Sequence, residues 1–169
     1  MPSAPSLLAR HHSRRAVMWV VGIAVAVILV DQGTKMWALS ALADGRRIEL
    51  LGSALSLILL HNPGAAFSTA TGHTWVLTLV AMVISLGVVA FSGRTRGIMS
   101  LIAGLILGGA VGNLIDRMIR PPSPMNGHVV DFIDYGGWFV GNVADIAIVV
   151  AAALIMLLSL RGGQEEKNA

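Results

Sequence analysis

Four long apolar stretches decide what this chain can fold into. They run over about residues 16–43, 74–92, 97–115 and 138–160. An α-helix needs about 20 apolar residues to cross a hydrocarbon core about 30 Å thick. Backbone inside hydrocarbon must satisfy its own hydrogen bonds, so each stretch is expected to be a helix. Composition agrees: 55% of residues are hydrophobic and 12% are charged, which no ordinary soluble domain shows. The expected fold is therefore an all-α membrane protein with a small β element, built on a bundle of four transmembrane helices. With no cysteine, disulfides and thiolate chemistry are excluded. The net charge of +3 comes mostly from basic residues at segment ends, where they orient a chain in a membrane and imply no nucleic-acid partner.

The connections carry their own signals. Residues 1–15 are polar and read as a cytoplasmic tail, as do residues 161–169. Ala41-Leu42-Ala43 resembles a signal-peptide cleavage site, but Asp31 and Lys35 interrupt the apolar run that such a peptide needs. Between the first two spans, residues 44–73 open on the Asp44-Gly45 turn. They continue with partial alternation at Leu55, Leu57 and Leu59, which predicts strands. Residues 118–137 form a Pro/Gly-rich loop. Four spans put both termini on one side, with Arg10, Arg14, Arg15, Arg94, Arg96, Arg161 and Lys167. Arg46, Arg47, Arg117 and Arg120 lie on the other. The richer side is expected to be cytoplasmic, giving N-in and C-in. Trp37, Trp75 and Trp138 fit an outer aromatic belt, and Trp19 an inner one.

Polar residues inside the spans are costly and mark function by default. Asp31 lies 16 residues from Arg15, Asn113 lies 17 from Arg96, and Asp145 lies 16 from Arg161. At the helical rise these are all about 24–26 Å from the cytoplasmic boundary. Polar groups of three helices thus share one depth near the outer edge. Asp31 and Lys35, and Asn113 and Arg117, are four apart, while Asn142 and Asp145 are three apart, so each set shares a helix face.

Two carboxylates close together tend to share a proton, so one can take a proton from water while the other protonates a carbonyl oxygen. Asp145 is the stronger candidate by burial. Asp131 is favoured over Asp134 only weakly by spacing. Asp131 reaches Asp145 only if residues 134–141 fold back, a reversal that Asp134 and Gly136-Gly137 suit. Blander readings stand beside these. Asp31–Lys35 reads equally as a structural pair, and Asn113 and Asn142 as hydrogen-bonding glue between helices. Asp116 reads as an interfacial anchor, and Gly104, Gly108, Gly109 and Gly112 as a close-packing face. The histidines show no metal-ligand spacing, so no metal is expected.

Five blocks together resemble bacterial lipoprotein signal peptidase, the signal peptidase II family. They are Asp31-Gln-Gly-Thr-Lys35, Asn62-Pro-Gly-Ala-Ala-Phe67, Gly108-Gly-Ala-Val-Gly-Asn-Leu-Ile-Asp-Arg117, Val129-Val-Asp-Phe-Ile133 and Asn142-Val-Ala-Asp145. They occur in the family's order over about residues 17–160. The resemblance implies an aspartic endopeptidase domain over 16–160 that cuts before the diacylglyceryl-modified cysteine of prolipoproteins. It implies Asp131 and Asp145 as the catalytic pair. Asp31, Lys35, Asn62, Gly64, Asn113, Arg117 and Asn142 would shape the site or hold substrate. It further implies an extracytoplasmic β-cradle at about 46–68 and a capping loop at 118–137. Membrane lipid and globomycin-type peptide inhibitors are the implied partners, with no cofactor, in a monomer of the bacterial inner membrane whose site lies near the outer face. Three features depart from the family pattern: Gly141 where phenylalanine is usual, a short link between the aspartates, and the Pro-rich 121–124 segment. The rival class is a small proton- or ion-coupled transporter using the intramembrane Asp and Lys. The inner halves of the spans are almost bare of charge, which argues against a transport path.

Overall fold

The structure is a computed structural model that describes residues 7–64, 74–122 and 124–167, with side chains described from residue 14 to 161. Helix α1 covers Leu7–Ala41, α2 Thr74–Phe91, α3 Ile98–Ile119 and α4 Val143–Lys167. All four are long and apolar enough to cross a membrane. Both tails are partly helical: α1 begins within the first and α4 runs through most of the second. No proline interrupts either extension, so the helices propagate outward from their apolar segments. The third span continues to Ile119, four residues past its expected end, and the fourth starts at Val143, five residues later than expected.

One face of α1 explains the bundle. Ala16, Val20, Ala24, Asp31, Lys35 and Ala38 are its buried positions, a stripe at helical spacing that buried Leu42 extends just past the helix end. Met18, Leu29 and Met36 on the other faces are exposed, as suits side chains turned to lipid. The glycine face of α3 does pack closely. A Cβ at Gly104 would lie 2.6 Å from Ile23 Cβ, and one at Gly108 would lie 2.6 Å from Val27 Cβ. At Gly109 it would lie 2.6 Å from the Ala144 carbonyl oxygen. Backbones can approach this near only where the side chain is absent, so α3 sits between α1 and α4.

The β element is larger than expected. Strands β1 (Ile48–Leu51) and β2 (Leu55–Asn62) come from the first connection, β3 (Val129–Asp134) and β4 (Val140–Gly141) from the last. All pair antiparallel in the order β1-β2-β3-β4. The cradle is thus one sheet joining both connections, and the predicted 118–137 loop contains one of its strands. Cross-connection pairing such as Leu60 with Asp131 and Asn62 with Val129 has no local sequence signal. Phe132 under the sheet is buried with Ala38 of α1 and Leu42 just beyond it and meets Trp37 edge-on at 6.3 Å. The reversal after β3 forms as expected. Gly136 and Gly137 take φ of 65° and 81°, and the Asp134 carboxylate accepts a 2.7 Å bond from the Gly137 amide.

Candidate active site

The sheet and the adjoining ends of α1, α3 and α4 enclose a connected polar cluster. Its cation is Lys35, fully buried. The ammonium has three donors and no acceptor. It gives them to Asp31 Oδ2 at 2.8 Å, Asp116 Oδ2 at 2.8 Å and Asn113 Oδ1 at 2.9 Å. This fixes which way the Asn113 amide faces. With its oxygen on Lys35, its nitrogen points to Asp145 and donates to Oδ1 at 2.9 Å.

Asn142 is fixed by the start of α4. Its side-chain oxygen accepts the Asp145 amide at 3.1 Å, and the Asp145 carboxylate accepts the Asn142 amide at 3.1 Å. This reciprocal capping arrangement satisfies two orphan donors of the helix terminus. A third, the Ala144 amide, donates to Asp31 Oδ1 at 2.9 Å. The Asn142 nitrogen is left to donate to Asp131 Oδ1 at 2.6 Å and Asn113 Oδ1 at 3.1 Å. Asp131 Oδ2 accepts from Asn62 Nδ2 at 2.8 Å. Asn62 in turn is oriented by the Gly64 amide, which donates to its oxygen at 2.8 Å. Gly64 has φ of 115° and a Cβ there would meet Leu77 at 2.5 Å, so only glycine fits. Ala65, Ala66 and Phe67 of that block lie outside the described residues.

Asp131 and Asp145 are therefore bridged by one residue, Asn142, and each also accepts from a second asparagine. Their surroundings differ. Asp131 is buried on the sheet, and burial is the main cause that pushes its carboxyl up to about 6, with the charge of Asp145 adding to it. Asp145 is only half-buried. It lines a cavity of about 330 Å³ with Tyr135, Phe139, Gly141, Ile146 and Val149. Burial thus marks Asp131 more strongly than Asp145, the reverse of the sequence expectation. The sheet, not a helix, provides the deeper shelter.

Asp134 is turned away from this cluster. Residues three apart in a strand face opposite sides. Asp134 accepts from Arg47, Ser56 and the Gly137 amide, and the Gly137 bond leads the effects that hold its carboxyl below the usual range. Asp116 corrects the reading as an interfacial anchor. It is fully buried, pairs with Lys35 and Arg120 at 2.8 and 2.6 Å, and accepts the Val130 amide at 3.1 Å. It lies inside because α3 continues past it and β3 packs across it. Gln32, within the first block, carries no charge or periodic signal that marks it in the sequence, yet it joins the cluster. Its amide reaches Asp31 Oδ2 and the Gly112 carbonyl at 3.1 and 3.0 Å. Arg117 is nine-tenths buried, and its Nη1 has no hydrogen-bond partner among the described residues. No group of three metal-ligating side chains occurs among the described residues.

Residues 23–161 match the family model of signal peptidase (SPase) II. The chain is 49% identical over 152 residues to a lipoprotein signal peptidase of Rhodococcus jostii, covering 89% of this chain and 76% of that one. It is 44% identical over 149 residues to one of Mycobacterium leprae, covering 88% and 74%. It is also similar to a solved structure described as a bacterial membrane enzyme determined by the in meso method. The TM-score there is 0.76 at 27% identity, over 89% of this chain and 92% of that chain.

Proposed function

The chain belongs to the signal peptidase II family, and on that premise we propose that Asp131 and Asp145 are its catalytic carboxylates. It is an aspartic-type peptidase that removes signal peptides from prolipoproteins. Nothing in the structure or its relatives favours the transporter reading. One observation carries the assignment of the pair. Asn142 donates to both carboxylates, one through its side chain and one through its backbone, while Asp134 is consumed elsewhere.

The reaction follows from one proton shared across the pair. A water between the carboxylates gives a proton to the ionised one as its oxygen attacks the scissile carbonyl carbon. The protonated carboxyl passes its proton to the carbonyl oxygen. The resulting gem-diol collapses, the C–N bond breaks, and the leaving nitrogen takes a proton from the pair. The amide nitrogens of Asn62, Asn113 and Asn142 hold the carboxylates in place without neutralising them. Lys35 holds Asn113, and Asp31 ties α1 to the start of α4. Arg117 Nη1, an unspent donor beside the aspartates, is suited to a substrate carbonyl.

The proposed substrate carries diacylglycerol on the cysteine that follows the cut. It enters sideways from the outer leaflet with its acyl chains in lipid, and its backbone lies against the sheet. Globomycin-type peptides fit the same cleft. The enzyme acts as a monomer in the inner membrane, N-in and C-in. The test uses purified protein and a diacylglycerylated prolipoprotein, with mass spectrometry of the products. Wild type is expected to cut just before the lipidated cysteine, and Asp131→Asn and Asp145→Asn to give no product while remaining folded. Cleavage by either variant would overturn the dyad.

A further inference from the structure

The membrane face opposite the sheet holds a second feature, remote from the aspartates. Between helices α2 and α3, at their connecting turn, lies an apolar groove of about 620 Å³. Gly87, Val88, Phe91, Met99, Ala103 and Ile106 form its walls, and Arg94 and Arg96 stand at its mouth. Both arginines are exposed. The Arg94 guanidinium lies over the Phe91 ring, 5.2 Å from its centroid, so it is held at the rim.

Charge and length identify what fits. On the sheet side, Arg46, Arg47 and Arg120 are each paired with a carboxylate, and Arg117 is enclosed in the site. On the groove side, Arg14, Arg15, Arg94, Arg96 and Arg161 form no ion pair among the described residues. From Arg96 to Ile106 is 10 residues, about 15 Å of helix, which is half of a core about 30 Å thick. The groove is therefore one leaflet deep, apolar along its length and cationic where that leaflet's headgroups lie. Basic pockets between transmembrane helices suit anionic lipid headgroups.

We propose that this groove binds one anionic phospholipid of the leaflet opposite the sheet, its phosphate on Arg94 and Arg96 and one acyl chain along Gly87, Val88 and Ala103. The site rests on membrane embedding alone and is independent of the catalytic assignment. A lipid there ties α2 to α3.

Native mass spectrometry of the detergent-purified protein tests it, with phosphatidylglycerol and phosphatidylcholine of matched chains added in equal amounts. Wild type is expected to retain a single phosphatidylglycerol with roughly tenfold preference, which corresponds to about 1.4 kcal/mol. Arg94→Gln/Arg96→Gln should remove the preference. Arg14→Gln/Arg161→Gln, with the same charge change elsewhere, should keep it. Gly87→Leu probes the acyl chain, because a Cβ at Gly87 meets nothing within 4 Å and the larger side chain fills the groove without strain. It should lose retention with both arginines intact. Equal retention of the two lipids by wild type would overturn the site, as would equal loss in both double variants. Unchanged retention in Gly87→Leu would overturn the placement of the chain.

Discussion

Lys35 shows how much one side chain organises. Its three donors meet two buried carboxylates and one amide oxygen, so removing it strands the Asp31 charge, leaves Asp116 with Arg120 alone and frees Asn113 to turn. Lys35→Met is expected to destabilise the protein by about 3–5 kcal/mol, the usual cost of leaving a buried charge unpaired. It should show as a lowered unfolding midpoint in detergent together with lost cleavage. The two aspartates of β3 make opposite predictions for pH. Asp131 titrates near about 6 when folded, so the folded protein keeps a proton that the unfolded chain releases. Stability then falls as pH rises from about 4 to about 6, by roughly 2–3 kcal/mol at about 1.4 kcal/mol per unit. Asp134 is held below its ordinary value, so its contribution is present above that value and is lost as pH falls below about 4. Midpoints measured across pH 3–7 should therefore lose the upper slope in Asp131→Asn and the lower one in Asp134→Asn. Asp134→Asn should still cleave. A variant that removed the other's slope would contradict the placement of these groups.

Among the elements, α3 was the easiest to read and the strands were the hardest. A glycine face at helical spacing is local information, and so is an aspartate four residues from a lysine. Both led correctly to close helix packing and to the Asp31–Lys35 pair. The pairing of β2 with β3 joins residues about 70 apart, and its register depends on burial against Ala38 and Leu42 that no local pattern reveals. The burial of Asp116 has no local signal for the same reason, since what covers it is a strand from a later connection. Two glycines test the packing. A Cβ at Gly112 would lie 2.7 Å from Asp31 Oδ2. Gly112→Ala is thus expected to push Asp31 off the Ala144 amide and lower cleavage at least tenfold, about 1.4 kcal/mol of barrier. Beside Gly141 the Phe139 ring fills the space: a Cβ at Gly141 would meet it at 2.5 Å. Phe139 stacks on Tyr135 at 6.1 Å along the cavity beside Asp145. Gly141→Ala should turn the ring out and raise KM more than it lowers kcat. An unchanged KM would mean that this wall does not touch substrate.

At the scale of the whole molecule, the sheet and the termini lie at opposite ends of the bundle. Four spans require this, since β1 and β2 follow the first helix outward and β3 and β4 follow the third. The basic residues favour the end with the termini as cytoplasmic, seven against four. A peptidase working on exported lipoproteins needs the opposite end outside, which the same orientation supplies. The chain has no cysteine, so single introduced cysteines report position without background. Ser53 lies exposed at the turn between β1 and β2, and Ser13 lies near the start of α1, before the first span. On intact cells, a membrane-impermeant maleimide is expected to label Ser53→Cys and to spare Ser13→Cys until the cells are opened. Labelling of Ser13→Cys from outside would invert the molecule and put the aspartate pair at the cytoplasmic face, where no exported substrate could reach it. Labelling of both from outside would contradict the single crossing by α1 between these two positions and the bundle with it.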